Sequence, residues 1–464
     1  MRLLAARFWT LLLLLLCGTT LSQAEPASSE RPNFVFLLVD DLGWSHIASY
    51  GNPFFETPSV DRLAREGMKF TQAYAACAVC SPTRASIQTG KYPARLGVTD
   101  YIPGEHHPEA PLVTLPTRQE LPLEEVCLAE ALKEHGYQTA FLGKWHLGKA
   151  PYYPQHHGYD VNIAGCSAGG PPKGYFFPWG VEHIEDGPEG EYLTDRLTDE
   201  AVGLLEAYAA IPDDPFLLFL SYYTVHTPIQ PRPELLAHYE KKLEATGDTR
   251  WGNPAYAGMV HAMDLSVGRV LDSLDQLGLA ENTVVIFMSD NGGVDYWNVS
   301  TNHPLRAGKG RYYEGGIREP MIVRWPGTTK PGSICDTPVI STDFYPTMLA
   351  MAGLPSRPNQ HADGENLVPL LQGTGKPDRD ALYWHYPHYH GSGATPCSAI
   401  RVGDMKLIRY YETGNTELYD LANDLSEEHD LAADKPEQVA EMEAQLDAWL
   451  TEVGAYVPPP RPTE

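Results

Sequence analysis

NFVFLLVDDLG, residues 33–43, sets an unbroken apolar run from Phe34 to Val39 directly against two carboxylates, Asp40 and Asp41. A run this short, apolar at every position instead of every second one, is a strand buried on both faces, as at the centre of a parallel sheet. Residues 138–142, 216–222 and 283–288 have the same texture. Helical patterns fall between them at 57–66, 123–135, 195–209 and 255–277, the second and fourth closing at Gly136 and Gly278. Strand and helix in alternation predict an α/β fold: a large mixed, mostly parallel sheet flanked by helices.

Near residue 375 the pattern changes. Residues 373–377, GTGKP, read as a linker, and short strand-like pieces follow at 381–384, 399–402, 406–409 and 417–420. An amphipathic helix over 436–453 precedes a proline-rich tail. The expected organisation is a main domain over 25–375 and a smaller C-terminal antiparallel sheet plus helix over 376–464. With 464 residues there is enough chain for a sizeable core.

The first 24 residues carry Arg2 and Arg7, an apolar stretch over 8–17 and the small-residue end Ser22-Gln23-Ala24. They read as a cleavable signal peptide, which places the mature protein outside the cytoplasm, secreted or periplasmic. The apolar stretch is too short to cross a bilayer, and Leu16 before Cys17 argues against lipidation. No stable membrane anchor is expected. A formal charge of −26 repels phosphate backbones and excludes nucleic acid as a partner. Seven cysteines, six after cleavage, are sparse for an exported chain, so disulfides are at most a minor staple. Cys77 and Cys80 form a lone CxxC with no second pair to complete a zinc site.

In an open α/β sheet, ligands bind beyond the carboxyl ends of the strands. The four runs lead there to Asp40 and Asp41, to Lys144 and His146, to His226, and to Asp290 and Asn291. Asp40, Asp41, Asp290 and Asn291 offer only oxygen ligands, three of them anionic, which suits a hard divalent cation such as calcium or magnesium. Such clustered carboxylates would otherwise repel one another. Residues 80–90, CSPTRASIQTG, read as a helix with Pro82 in its first turn and Gly90 at its end. Cys80 then lies at a helix N-terminus, where amides and dipole favour an anion, with Arg84 one turn on.

This segment resembles the signature of the formylglycine-dependent sulfatases, arylsulfatase-like members of the alkaline phosphatase superfamily. Thr83 stands where the family usually has serine, and the hydroxyl is kept. LLVDDLG at 37–43, GKWHLG at 143–148, HTP at 226–228, SDNGG at 289–293 and GKGRYYEGGIREP at 308–320 resemble the family's other blocks, in the family's order. The resemblance covers residues 33 to about 431 and implies an alkaline phosphatase-like fold and sulfate ester hydrolysis. It implies that a formylglycine-generating enzyme oxidises Cys80 to formylglycine during maturation. Asp40, Asp41, Asp290, Asn291 and the oxidised Cys80 would hold one Ca2+ ion. Arg84, Lys144 and Lys309 would hold the sulfate, and His226, with Lys309, would protonate the leaving oxygen. His146 would take the proton that lets the covalent sulfate depart.

The run WHYPHYH over 384–390 suits sugar stacking or sulfate contacts, so His385, His388 and His390 are candidate substrate-binding residues. Metal binding and a plain structural loop are the other readings of that run. Export and this aromatic loop favour a sulfated polysaccharide or oligosaccharide as substrate. Two other functions remain open on the sequence: a phosphonate monoester or phosphodiester hydrolase of the same superfamily, and a non-catalytic sulfated-glycan-binding protein.

Overall fold

A computed structural model of the protein describes residues 31–247, 250 and 253–462. The expected signal peptide, 1–24, and Cys17 lie outside the described residues. The main sheet contains β1 (Asn33–Val39), β2 (Met68–Tyr74), β3 (Gln138–Gly143), β4 (Val161–Ile163), β5 (Phe216–Ser221), β6 (Thr283–Ser289), β7 (Arg318–Arg324), β8 (Ser333–Cys335) and β9 (Val339–Ile340). Its order is β4-β3-β5-β1-β6-β7-β2-β8, with β9 also on β2. From β4 to β6 every pairing is parallel, and β7 then runs antiparallel to both β6 and β2. The sheet is mixed and mostly parallel, as the sequence predicts.

β1 shows why its residues choose this place. Val35, Leu37 and Val39 enter one hydrophobic core, packed by the helices Leu193–Ala209 and Pro254–Gln276. Phe34, Phe36 and Leu38 enter a second, under the helices Leu128–Lys133 and Phe344–Met351. Alternate side chains pointing to opposite faces, both covered, require apolar residues at every position. The helix expected over 123–135 is shorter, Leu128–Lys133. Its start is set where Cys127 is extended and donates its amide to Glu130 Oε2 at 2.7 Å. Upstream, Val126 N donates to Gln360 and Lys91 pairs with Glu125, so tertiary contacts hold that stretch out of the helix.

A second sheet of β10 (Ala381–Tyr386), β11 (Cys397–Val402), β12 (Met405–Tyr410) and β13 (Thr416–Asp420) is antiparallel throughout and packs with the helix Pro436–Glu452. A buried charge network ties it to the main sheet. Lys406 Nζ on β12 lies 2.9 Å from Glu314 Oε1 and 2.8 Å from Glu427 Oε1, all three side chains fully buried. Glu314 Oε2 accepts from Tyr74 on β2 and Arg318 on β7. Removing one partner of such a network strands the others in low dielectric, so Lys406→Met is expected to destabilise the fold by about 3–5 kcal/mol. A thermal melt checks this.

Burial opposes ionisation of Glu314, but Lys406 and Arg318 overcome it and hold its carboxyl down at about 2, against an ordinary 4.5. A depressed carboxylate stabilises the fold above its unfolded value and loses that contribution as pH falls through the folded one. The wild-type melting temperature is therefore expected to drop between about pH 4.5 and 2, and to drop less in Lys406→Met.

All six described cysteines are free and buried. No helix among the described residues is long and apolar enough to cross a membrane.

Candidate active site

Since β3, β5, β1 and β6 are neighbours and parallel, their carboxyl ends form one edge, and the residues just past each end meet there. Oxygen atoms of Asp40, Asp41 and Asp290 lie within 4.8 Å of one another, all buried. Asn291 Nδ2 donates to Asp41 Oδ1 at 2.7 Å, which leaves Asn291 Oδ1 buried without a donor. Asp40 Oδ1 is likewise without a hydrogen-bond donor. Two orphaned acceptors among three carboxylates are costly to bury. A hard cation would satisfy them, and the donor set, oxygen only, fits calcium or magnesium.

Cations of the chain surround the acids. Lys144 Nζ lies 2.7 Å from Asp40 Oδ2, and Lys309 Nζ lies 2.7 Å from Asp41 Oδ1. Arg84 donates from Nε to Asp290 Oδ2 at 2.8 Å, and from Nη1 to the Lys144 carbonyl and to Ser221 Oγ, both at 2.6 Å. Burial pushes the Asp40 carboxyl up, offset in part by Lys144 and reinforced by Asp290 and Asp41. Asp41 is also buried, but Lys309, His226 and Lys144 together hold it well below the usual carboxylate range.

Cys80 opens the helix Cys80–Thr89, which ends at Gly90 in the left-handed region, as its sequence predicts. Its Sγ lies 3.3 Å from His146 Nδ1. His146 Nε2 lies 2.5 Å from the Ile102 carbonyl. A carbonyl can only accept, so Nε2 carries the proton and Nδ1 presents a bare lone pair to Cys80. Burial, with Lys144 adding, holds this imidazole well below its ordinary pKa, so it is neutral. Asp41 and His146 have φ of 58° and 57°, the left-handed region that side chains seldom adopt and that concentrates at functional sites. His226 donates from Nδ1 to the Thr227 carbonyl at 2.7 Å and turns Nε2 toward Asp41 Oδ2, 3.7 Å away.

A pocket of about 360 Å³ opens above Cys80, lined at its floor by Asp41, His146, His226 and Lys309. Arg84 and Lys144, 3% and 0% exposed, lie beneath it, drawn down by Asp290 and Asp40. His390 lines the pocket; His385 and His388 do not. His385 sits on β10, with its ring nitrogens taken by Ser398 Oγ at 2.7 Å and the Tyr456 carbonyl at 2.9 Å. His388 Nε2 is bonded to Thr99 Oγ1. The outer wall is made of residues the sequence reading passed over: Tyr101, Glu105, Tyr296 and Trp297. Tyr296-Trp297, two aromatics in a polar loop just after SDNGG, carried a signal; Glu105 carried none.

A family profile described as Sulfatase matches residues 32–354, and one described as N-sulphoglucosamine sulphohydrolase, C-terminal, matches residues 308–455. A protein of Formosa agariphila named sulfatase is 35% identical, over 92% of this chain and 90% of that protein. Human arylsulfatase A is 33% identical, over 95% of this chain and 92% of that one. The crystal structure of Ps i-CgsB in complex with k-i-k-neocarrahexaose matches with a TM-score of 0.77 at 31% identity, covering 90% of this chain and 92% of that one.

Proposed function

The chain belongs to the sulfatase family, has its alkaline phosphatase-like fold and is a sulfuric ester hydrolase, and from that premise we propose that it is an exported enzyme that desulfates sulfated carbohydrates through a formylglycine made from Cys80. The observation that supports this best is the place of Cys80: at a helix N-terminus, facing a neutral His146 Nδ1, at the floor of a pocket that also holds Lys309 and His226. The neocarrahexaose bound by a structural relative supports a carbohydrate substrate.

In this reading Asp40, Asp41, Asp290, Asn291 and the oxidised residue 80 would hold one calcium-like ion. When bound, the cation would offset charge on the sulfuryl oxygens, and formylglycine in its hydrated form would supply the nucleophile for sulfur. The chain's own residues do the rest. Lys309 meets the sulfate at the pocket floor, while Lys144 and Arg84 add positive charge from below and keep Asp40 and Asp290 in place. His226 faces the leaving oxygen with Nε2, which carries a proton to give only when the ring is imidazolium. Asp41 favours that form against burial and the charge of Lys309, and Lys309, held protonated by Asp41, shares the role. His146 Nδ1 accepts the proton from residue 80 that restores the aldehyde. We propose that residues 376–464 complete the pocket through the loop that carries His390, and that residues 1–24 direct export.

Sulfate release from a panel of defined sulfated sugars and 4-nitrophenyl sulfate tests this. Lys309→Ala is expected to lower kcat/KM on both kinds of substrate by about a hundredfold or more, because it touches what they share. His390→Ala is expected to cost a sugar sulfate at least about tenfold more than it costs the aryl ester, since remote contacts act only on substrates that have the remote part. Equal losses on both would remove His390 from the sugar site.

A further inference from the structure

The side of the pocket away from the sulfate floor has a composition of its own. Trp297 stands at its rim 76% exposed, with the ring of Tyr296 4.7 Å away at 82°. Tyr101, Glu105 and His390 line the same pocket, and the His390 ring meets both Tyr101, 5.8 Å away, and Tyr296, 6.4 Å away, edge-on. An exposed tryptophan at a pocket mouth offers a flat apolar face with a polar edge, a surface suited to a ring.

Two polar groups in this wall are fixed in direction. His390 Nδ1 accepts from the Ser392 amide at 3.1 Å, so the neutral ring carries its proton on Nε2. Burial and nearby Lys309 push this imidazole down to about 4, so near neutral pH it is an uncharged donor. Its seat depends on Gly310: a Cβ there would lie 2.3 Å from His390 Nδ1, and φ at Gly310 is 85°. The glycine beside Lys309 thus lets His390 lie close to the sulfate floor. Glu105 is as firmly held: Oε1 accepts from the Gly391 amide at 2.9 Å and from Tyr101 Oη at 3.2 Å, and Oε2 lies 2.9 Å from His107 Nε2. A carboxylate has about four acceptor sites, so Glu105 retains capacity for one more hydroxyl.

Positive charge is missing from this wall. Among the described residues lining the pocket, Lys309 is the one lysine or arginine, and it belongs to the floor against Asp41. Arg311 nearby donates to the Ser392 carbonyl and pairs with Asp295 at 3.4 Å. A second sulfate or a carboxylate on the same sugar would meet Glu105 with no cation to receive it.

We propose that this wall selects a monosulfated, otherwise uncharged sugar, with His390 donating to its hydroxyls, Glu105 accepting from them and the exposed face of Trp297, backed edge-on by Tyr296, stacking on the ring. This rests on the carbohydrate reading above and narrows it: a disulfated sugar or a sulfated uronic acid is disfavoured at the scissile ring.

The test is kcat/KM for sulfate release from galactose and glucose monosulfates, each set against the disulfated sugar that contains the same ester. The wild type is expected to favour the monosulfate by about tenfold or more. Glu105→Gln keeps an acceptor for Tyr101 and Gly391 and is expected to shrink that ratio several-fold by improving the disulfated substrate. Added salt should shrink it more in the wild type than in Glu105→Gln, a readout that separates the charge of Glu105 from misfolding. A wild-type ratio of one or below, or a ratio that neither Glu105→Gln nor salt alters, overturns the proposal and leaves the carbohydrate reading standing. Turnover of 4-nitrophenyl sulfate with no sugar sulfate hydrolysed overturns both.

Discussion

Cys80→Ala, produced beside a formylglycine-generating enzyme, is expected to lose at least about four orders of magnitude in kcat on every sulfate ester while keeping the wild-type melting profile. In the proposed mechanism the loss is large because the oxidised residue would be both the nucleophile and the group whose second hydroxyl lets sulfate depart. Nothing else in the pocket replaces it: His146 Nδ1 points at position 80, and Lys309 is held protonated by Asp41 against the effect of burial. The fold survives because the change removes one sulfur atom at a helix start whose neighbours Ser81 and Thr83 keep their own bonds, Ser81 Oγ to the His146 carbonyl and Thr83 Oγ1 to the Cys77 carbonyl. Sulfate release together with circular dichroism distinguishes lost chemistry from lost structure.

Asp290→Asn is expected to cost about two to three orders of magnitude in kcat and to lower the content of the cation proposed for this site. Asp290 is fully buried, and its Oδ2 accepts from Arg84. The amide keeps the shape but removes one of three negative charges from the site, and it leaves Arg84 with a weaker partner. Elemental analysis of the wild type is expected to show about one calcium or magnesium per chain. Exhaustive chelation should abolish activity and lower the melting temperature, because Lys144, Lys309 and Arg84 alone then offset the repulsion among Asp40, Asp41 and Asp290. Zinc at full occupancy, or undiminished turnover after chelation, would contradict the cation's place in the mechanism.

Much of this arrangement was legible in the chain because it rests on local pattern. Phe34 to Val39 reads as a central strand since both faces need apolar residues, and parallel neighbours bring Asp40, Lys144, His226 and Asp290 to one edge without further information. The antiparallel β7 was not legible: RWPG after IREPMIV gives no sign that this strand inserts between β6 and β2. The histidine run misled for a related reason. Alternation along β10 turns His385 toward Ser398 and the carbonyl of Tyr456, a residue of the C-terminal tail, and only His390, beyond the strand, reaches the pocket. Glu105 was invisible because its partner Gly391 is 286 residues away in the chain. Strand ends are written locally, whereas the wall that meets the sugar is assembled from distant loops.

The mass spectrum of the peptide containing Cys80, taken from a preparation with measured sulfatase turnover, bears most directly on the mechanism. The expected result is a lighter peptide in which an aldehyde replaces the thiol, reactive with hydrazide and present in proportion to specific activity. Full turnover by protein whose Cys80 is an intact thiol throughout would contradict it.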